Sequence, residues 1–177
     1  MAKYLFVGPD GAYKTTLAEA LHQHLDLPYA KFSQSKSVDE VVQVAKDLAN
    51  DVNYRDCVLD RFKTIDHIVY GRVIEGLKFS INEIRRMINA HRLLEQSTDK
   101  FYLIYVHAKT DVLWERLFKR GDETYVTKHD LERIKREYQI VISLFKANGL
   151  LENVIELDTT DVTSKTAFKR LLKELDV

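Results

Sequence analysis

Phe101 to Val106 is an unbroken run of six apolar or aromatic residues. A strand with one wet face alternates apolar and polar side chains. A run without alternation predicts a strand covered on both faces. Helices on both sides of a mostly parallel sheet provide that cover. The rest of the chain supplies matching parts. Tyr4–Val7, Asp56–Leu59 and Val154–Leu157 read as further strands, and Tyr29–Phe32 as a short one. Leu17, Ala18, Leu21 and Leu25 recur at helical spacing after Lys14, as do Val38, Val41, Val42, Ala45 and Leu48 after Ser37. Further helices are expected over 65–74, 110–119 and 167–175, from Ser80 with Ile84, Met87, Ile88 and Leu94 inward, and over Leu131–Phe145. Ser37-Val-Asp-Glu40 and Ser80-Ile-Asn-Glu83 are capping-box patterns, and Asn148-Gly149 suits a left-handed helix end. Strands alternating with helices predict βαβ units in a parallel sheet, with ligands at the carboxyl ends of the strands.

At 177 residues this is expected to be one domain, 1–177. Lys+Arg and Asp+Glu are 27 each, which argues against a generally basic nucleic-acid-binding surface. Cys57 is the sole cysteine, so no intrachain disulfide or Cys-based zinc cluster can form. The six histidines are scattered and show no ligand spacing. The apolar run near Met1 is too short for a signal peptide, and none approaches the ~20 residues of a membrane span. The expectation is a cytoplasmic chain with no membrane partner.

The chemistry-bearing residues follow strands directly. The chain has only six glycines and two prolines, yet Gly8, Pro9 and Gly11 stand together in Gly8-Pro9-Asp10-Gly11-Ala12-Tyr13-Lys14-Thr15-Thr16. This segment resembles the phosphate-binding loop G-x-x-x-x-G-K-[ST]. Backbone N–H groups there point at an anion, and the next helix adds its positive end. Lys14 would reach the β- and γ-phosphates and the Thr15 hydroxyl would ligate Mg²⁺. Gly8, Asp10, Gly11, Ala12, Tyr13 and Thr16 complete the candidate cofactor-binding set. Tyr13 stands where the motif has its last glycine, so its ring must turn away or crowd the nucleotide. A strand-to-helix turn with no ligand is the alternative reading.

With Asp60-Arg61-Phe62 after the third strand, the loop resembles the thymidylate kinase-like branch of P-loop nucleotide kinases. Arg116-Leu-Phe-Lys-Arg120-Gly-Asp is similar to that family's arginine-rich lid, here about 116–130. Val69-Tyr70-Gly71-Arg72 is similar to a segment of small phage- or prophage-type nucleotide kinases. The resemblance implies a three-layer α/β fold with a five-stranded parallel sheet and helices on both faces. It implies transfer of the ATP γ-phosphoryl group, with Mg²⁺, to a nucleotide, first a deoxynucleoside monophosphate. The family's Arg-Glu-Pro-Gly stretch is replaced by Lys31-Phe-Ser-Gln34, which bears on the identity of the acceptor.

Phosphoryl transfer needs positioning and charge neutralisation. Lys14, Arg61, Arg116 and Arg120 are the candidate cations and Asp60 the candidate partner of Mg²⁺ or acceptor. Asp60, Arg61, Phe62, Tyr70 and Arg72 are the acceptor-side candidates, and Thr160 lies in the loop expected beside the adenine. Each has a plainer reading. Phe62 suits the core, Lys31 the surface, Arg116 and Arg120 a solvated face with Glu115 and Glu123, and the loop after the last strand a helix cap at Asp161 or Thr163. A nucleoside or polynucleotide kinase is an alternative, as is a non-catalytic nucleotide-binding protein. Arg85, Arg86, Lys119 and Arg120 are the densest nucleic-acid candidates. The resemblance is compatible with a homodimer through sheet-side helices, whose apolar faces packing on the sheet explains equally well.

Overall fold

The computed structural model describes residues 1–33, 36–121 and 126–177. Gln34, Glu123 and the 122–125 part of the expected lid lie outside the described residues. Strands β1 (Ala2–Val7), β2 (Tyr29–Lys31), β3 (Cys57–Asp60), β4 (Lys100–His107) and β5 (Asn153–Asp158) form one sheet in the order β2-β3-β1-β4-β5. All four pairings are parallel. Central β1 and β4 carry almost wholly buried residues, whereas β5, at the edge, is half exposed. The apolar run at Phe101–Val106 is thus the core of a covered strand.

The helices are α1 (Lys14–Leu25), α2 (Val38–Asn50), α3 (Lys63–Val73), α4 (Ile81–Gln96), α5 (Thr110–Lys119), α6 (Lys128–Ala147) and α7 (Ser164–Leu175). Strand order decides where each goes. The step from β1 to β2 runs one way across the sheet, and every later step runs the other way. Right-handed crossovers therefore place α1 on one face and α2 to α6 on the other. The packing agrees: α1 meets α7, while α2, α3, α4 and α6 pack among themselves and α5 against α6. The connection after β1 leaves for the opposite face from those after its neighbours β3 and β4, so the loops after these three strands open a crevice at the carboxyl edge.

Local signals set the helix ends. Ser80 and Glu83 form a complete capping box. Ser37 accepts from the Glu40 N–H, but the Glu40 carboxylate reaches back to the Lys36 N–H and to Lys63 instead of closing the box. Thr127 and Asp130 make a further box at the start of α6, three residues before the apolar periodicity begins. At the other end of α6, the Gly149 N–H donates to the Lys146 carbonyl and the Leu150 N–H to the Phe145 carbonyl, a Schellman closure with Gly149 at φ 73°. Thr163 caps α7. No described helix is long and apolar enough to cross a membrane.

Candidate active site

The loop from Gly8 to Thr16 carries the sheet into α1. Gly8 has φ 140°, and a Cβ there would lie 2.0 Å from the Val106 carbonyl oxygen of β4. Gly11 has φ 82°, and its Cβ would lie 2.8 Å from the Leu113 carbonyl. Both are glycine because the loop is pressed against its neighbours. Tyr13 adopts φ 73°, ψ 15°, the left-handed conformation that the motif's glycine would take without cost. The loop backbone thus survives the substitution, and the residue bears the strain. The N-terminus of α1 has no side-chain cap and no acid in its first turn, so its free N–H groups face the cleft unneutralised.

Lys14 is 4% exposed. Its amine donates to the Pro9 carbonyl at 2.7 Å and lies 3.8 Å from the Asp10 carboxylate. Burial lowers its pKa from 10.5 to about 8, against the opposing pull of Asp10. Asp10 also receives Arg61 Nη2 at 2.5 Å. Burial alone would raise the Asp10 carboxyl, but Lys14 and Arg61 outweigh it and hold it below its ordinary value.

The Thr15 hydroxyl donates to Asp60 Oδ2 at 2.7 Å, and Tyr29 Oη donates to the same oxygen at 3.1 Å. Asp60 is fully buried at the end of β3, and its Oδ1 has no hydrogen-bond partner. An orphaned buried carboxylate oxygen, with the Thr15 hydroxyl bonded to the same carboxylate, fits a hydrated divalent cation, which takes one or two protein oxygens and fills its other positions with water and phosphate. Among the described residues no three His, Cys, Asp or Glu side chains gather into a ligand set. Thr15 and Asp60 are therefore the residues that would hold Mg²⁺.

Arg61 follows at φ 61°, a second non-glycine residue in the left-handed region. Its N–H donates to the Phe6 carbonyl of β1, and its Nε is buried without a partner. Gly11, Ala12, Tyr13, Lys14, Thr15, Thr16, Lys31, Arg61 and Arg120 line a cleft of about 430 Å³ over this ensemble. Four of these nine are cationic, and none is acidic. Thr16, Lys31 and Arg120 are exposed at its rim.

Other expected residues sit elsewhere. Phe62 does not offer its ring to the cleft; it is fully buried and meets Phe32 edge-on at 5.3 Å. Arg72 pairs with Glu137 of α6 at 2.5 Å. Thr160 accepts from the Lys109 N–H at 2.9 Å and donates to Asp158 at 2.6 Å, away from the cleft lining. Arg116 and Arg120, four apart, divide their tasks. Arg120 faces the cleft. Arg116 is spent on scaffolding: Nη1 donates to the Gly11 carbonyl at 3.3 Å and Thr159 Oγ1 at 3.0 Å, and Nη2 to the Thr159 carbonyl at 2.5 Å. Its guanidinium carbon lies 4.0 Å from the centroid of the Tyr13 ring. Of the nucleic-acid candidates, Arg86 pairs with Asp39 and Lys119 with Glu115 on the surface.

The structure adds residues that the motifs did not single out. Asp66 of α3 accepts from Tyr138 Oη at 2.7 Å. Burial lifts its pKa from 3.8 to about 6, with Lys14 and Arg61 opposing. Tyr70, already an acceptor-side candidate, turns its buried hydroxyl toward both acids, and burial together with Asp10 and Asp66 pushes its pKa well above the ordinary value. Asp66 was visible in one respect: with His67 it interrupts the apolar residues Ile65 and Ile68–Val69. Tyr138 was legible only as core, because periodicity says nothing about where a hydroxyl goes.

A five-stranded parallel sheet in this order, with a cationic loop at the carboxyl end of β1, defines the P-loop nucleotide kinase fold. The comparisons place it there. YorR, of SPbeta prophage origin in Bacillus subtilis strain 168, is 29% identical over 147 residues, 81% of this chain and 83% of that protein. The structure of YorR in complex with phosphorylated GDP matches with a TM-score of 0.72 at 23% identity, over 98% of this chain and 95% of that one. Deoxyadenosine kinase from M. mycoides with bound dATP matches at 0.66 and 13% identity, over 99% and 100%. Thymidylate kinase from Candida albicans matches at 0.60 and 14%, over 98% and 90%. No protein-family model matches the chain.

Proposed function

We propose that this protein transfers the γ-phosphoryl group of ATP, with Mg²⁺, to a nucleotide, a deoxynucleoside monophosphate before others. The observation that carries the reading is the pairing of Thr15 with Asp60, whose second oxygen is buried and orphaned, beside Lys14 on an uncapped helix. A merely structural turn would leave neither a buried amine with a depressed pKa nor an unpaired carboxylate oxygen at one helix end.

Bound Mg²⁺ would neutralise charge on the phosphate oxygens. Lys14 and the loop N–H groups bind and orient the donor phosphates. Arg120 and Arg61 supply planar donors from the rim and from the β3 end. Asp10 keeps Arg61 and Lys14 aimed at one place. The partnerless Arg61 Nε at the end of β3 suits an acceptor that completes its hydrogen bonding. With Arg116 committed to the scaffold, Arg120 is the residue of the lid pair that acts on phosphate.

A nucleoside acceptor is the second reading, because deoxyadenosine kinase matches the fold at least as well as thymidylate kinase does. Both readings place the protein in the cytoplasm, where ATP is available. ADP formation across a panel of nucleosides and their monophosphates tests them. At least one acceptor should turn over, and Lys14→Ala and Asp60→Asn should each cut kcat by at least about a hundredfold. ATP binding without turnover for any acceptor would support a non-catalytic nucleotide-binding protein instead, and absence of ATP·Mg²⁺ binding would refute the phosphate-loop assignment.

A further inference from the structure

A cleft that takes a nucleoside triphosphate must accommodate a flat base as well as its phosphates. Among the described residues the lining of this one is loop backbone, small side chains and cations, with one aromatic ring, that of Tyr13. That ring is not a loose appendage. Its backbone is held at φ 73°, and its carbonyl accepts the Leu17 N–H that opens α1. One ring face is covered by the Arg116 guanidinium at 4.0 Å. Arg116 in turn is anchored to the Gly11 carbonyl and to both oxygens of Thr159. Tyr13 is half-buried against the core and half-exposed along the cleft. A planar ring that lines the cleft and is backed by a cation is a stacking surface held ready before any ligand arrives.

We infer that Tyr13, backed by Arg116, is the platform on which the base of the phosphoryl donor stacks, so that the substitution in the phosphate loop is a base-binding element and not a lesion. The inference rests on the donor-site reading above and adds what the site recognises. Stacking on a ring face is tolerant of base identity, because every base has a π-face. Donors with different bases therefore bind with similar affinity, and all bind better than the same phosphates without a base. Arg116 acts here as a positioning residue through Tyr13, whereas Lys14 and Arg120 meet the phosphates.

Calorimetric titration of the full chain with ATP, GTP, CTP and inorganic tripolyphosphate, each with Mg²⁺, tests this. The three nucleotides should bind within a few-fold of one another and about tenfold more tightly than tripolyphosphate, the low end of what base–aromatic stacking contributes. Tyr13→Gly and Tyr13→Asn, both of which accept a left-handed backbone, should remove that preference by weakening the nucleotides at least several-fold more than tripolyphosphate. Tyr13→Phe should keep the preference. Arg116→Ala should shrink it, read alongside the melting temperature so that a general loosening is recognised. Tighter ATP binding by Tyr13→Gly would overturn the inference, since it would show the ring crowding the nucleotide. An unchanged ratio of ATP to tripolyphosphate affinity would overturn it too, while leaving the phosphate-loop reading standing. Failure of wild-type protein to bind any of the four would overturn both.

Discussion

Lys14→Met isolates the electrostatics of the phosphate loop. The amine is buried with two partners, the Pro9 carbonyl and the more distant Asp10 carboxylate. Burial carries its pKa from 10.5 to about 8. A fall of that size means that folding disfavours the charged amine by about 3 kcal/mol. Methionine has similar length and no charge, so it removes this penalty. It leaves the Pro9 carbonyl without its donor, which costs about 1 kcal/mol. The balance favours the variant by about 2 kcal/mol near pH 7.5, although the proposed phosphate site would lose its amine. The pH dependence has a definite sign. Between about 8 and 10.5 the unfolded lysine holds a proton that the folded one has released, so wild-type stability rises with pH there. The advantage of methionine should therefore shrink across that window and vanish above it. Urea unfolding of both proteins from pH 7.5 to 10.5 measures the difference directly, with the carboxylate titrations cancelling. A variant less stable at pH 7.5, or a difference that does not move with pH, refutes the reasoning.

Three further outcomes are expected. Asp66 is lifted from 3.8 to about 6, so the folded state holds its proton over a range where the unfolded state has lost it, and stability falls as pH rises through that range. Asp66→Asn should flatten this segment of the profile and stabilise the protein at pH 7 by on the order of 2 kcal/mol, as read by urea midpoints at pH 4.5 and 7. Arg116→Ala loses three hydrogen bonds and the ring contact and should cost about 2–3 kcal/mol in thermal unfolding; Arg116→Lys should not recover it, because an ammonium cannot span Gly11 and Thr159 as a planar fork does. Gly8→Ala drives a methyl to 2.0 Å from the backbone of β4 and should cost at least about 4 kcal/mol, visible as loss of soluble folded protein.

The sheet and most helices were legible in the sequence because burial imposes periodicity. Phe101–Val106 and the spacings at Leu17–Leu25 and Leu131–Phe145 each have one geometric solution. The early start of α6 at Lys128 was not legible from apolar spacing, since its first turn is polar and is held by the Thr127–Asp130 box. The loop after β1 was legible through glycine placement and the Lys-Thr pair. The fates of the arginines were not. Arg116 and Arg120 share a spacing and a chemistry, yet one braces Thr159 and the other reaches the cleft. Nothing local distinguishes them, because the difference lies in what the loop after β5 brings alongside. Phe62 shows the same limit in reverse, as an aromatic beside two site residues that faces the core.

The sequence by itself determined the class of fold and the place of the glycine-tight loop after β1, because strand burial and close-packed glycines are local requirements that few residues satisfy. Its low glycine count also pointed to Tyr13 as the departure that matters. Only the tertiary structure decided what that departure is. The left-handed backbone at Tyr13 is retained, and its ring is turned onto Arg116, 103 positions along the chain, whose donors are fixed by Thr159, further on still. That arrangement depends on β1, β4 and β5 lying side by side, a long-range outcome that no window of neighbouring residues encodes.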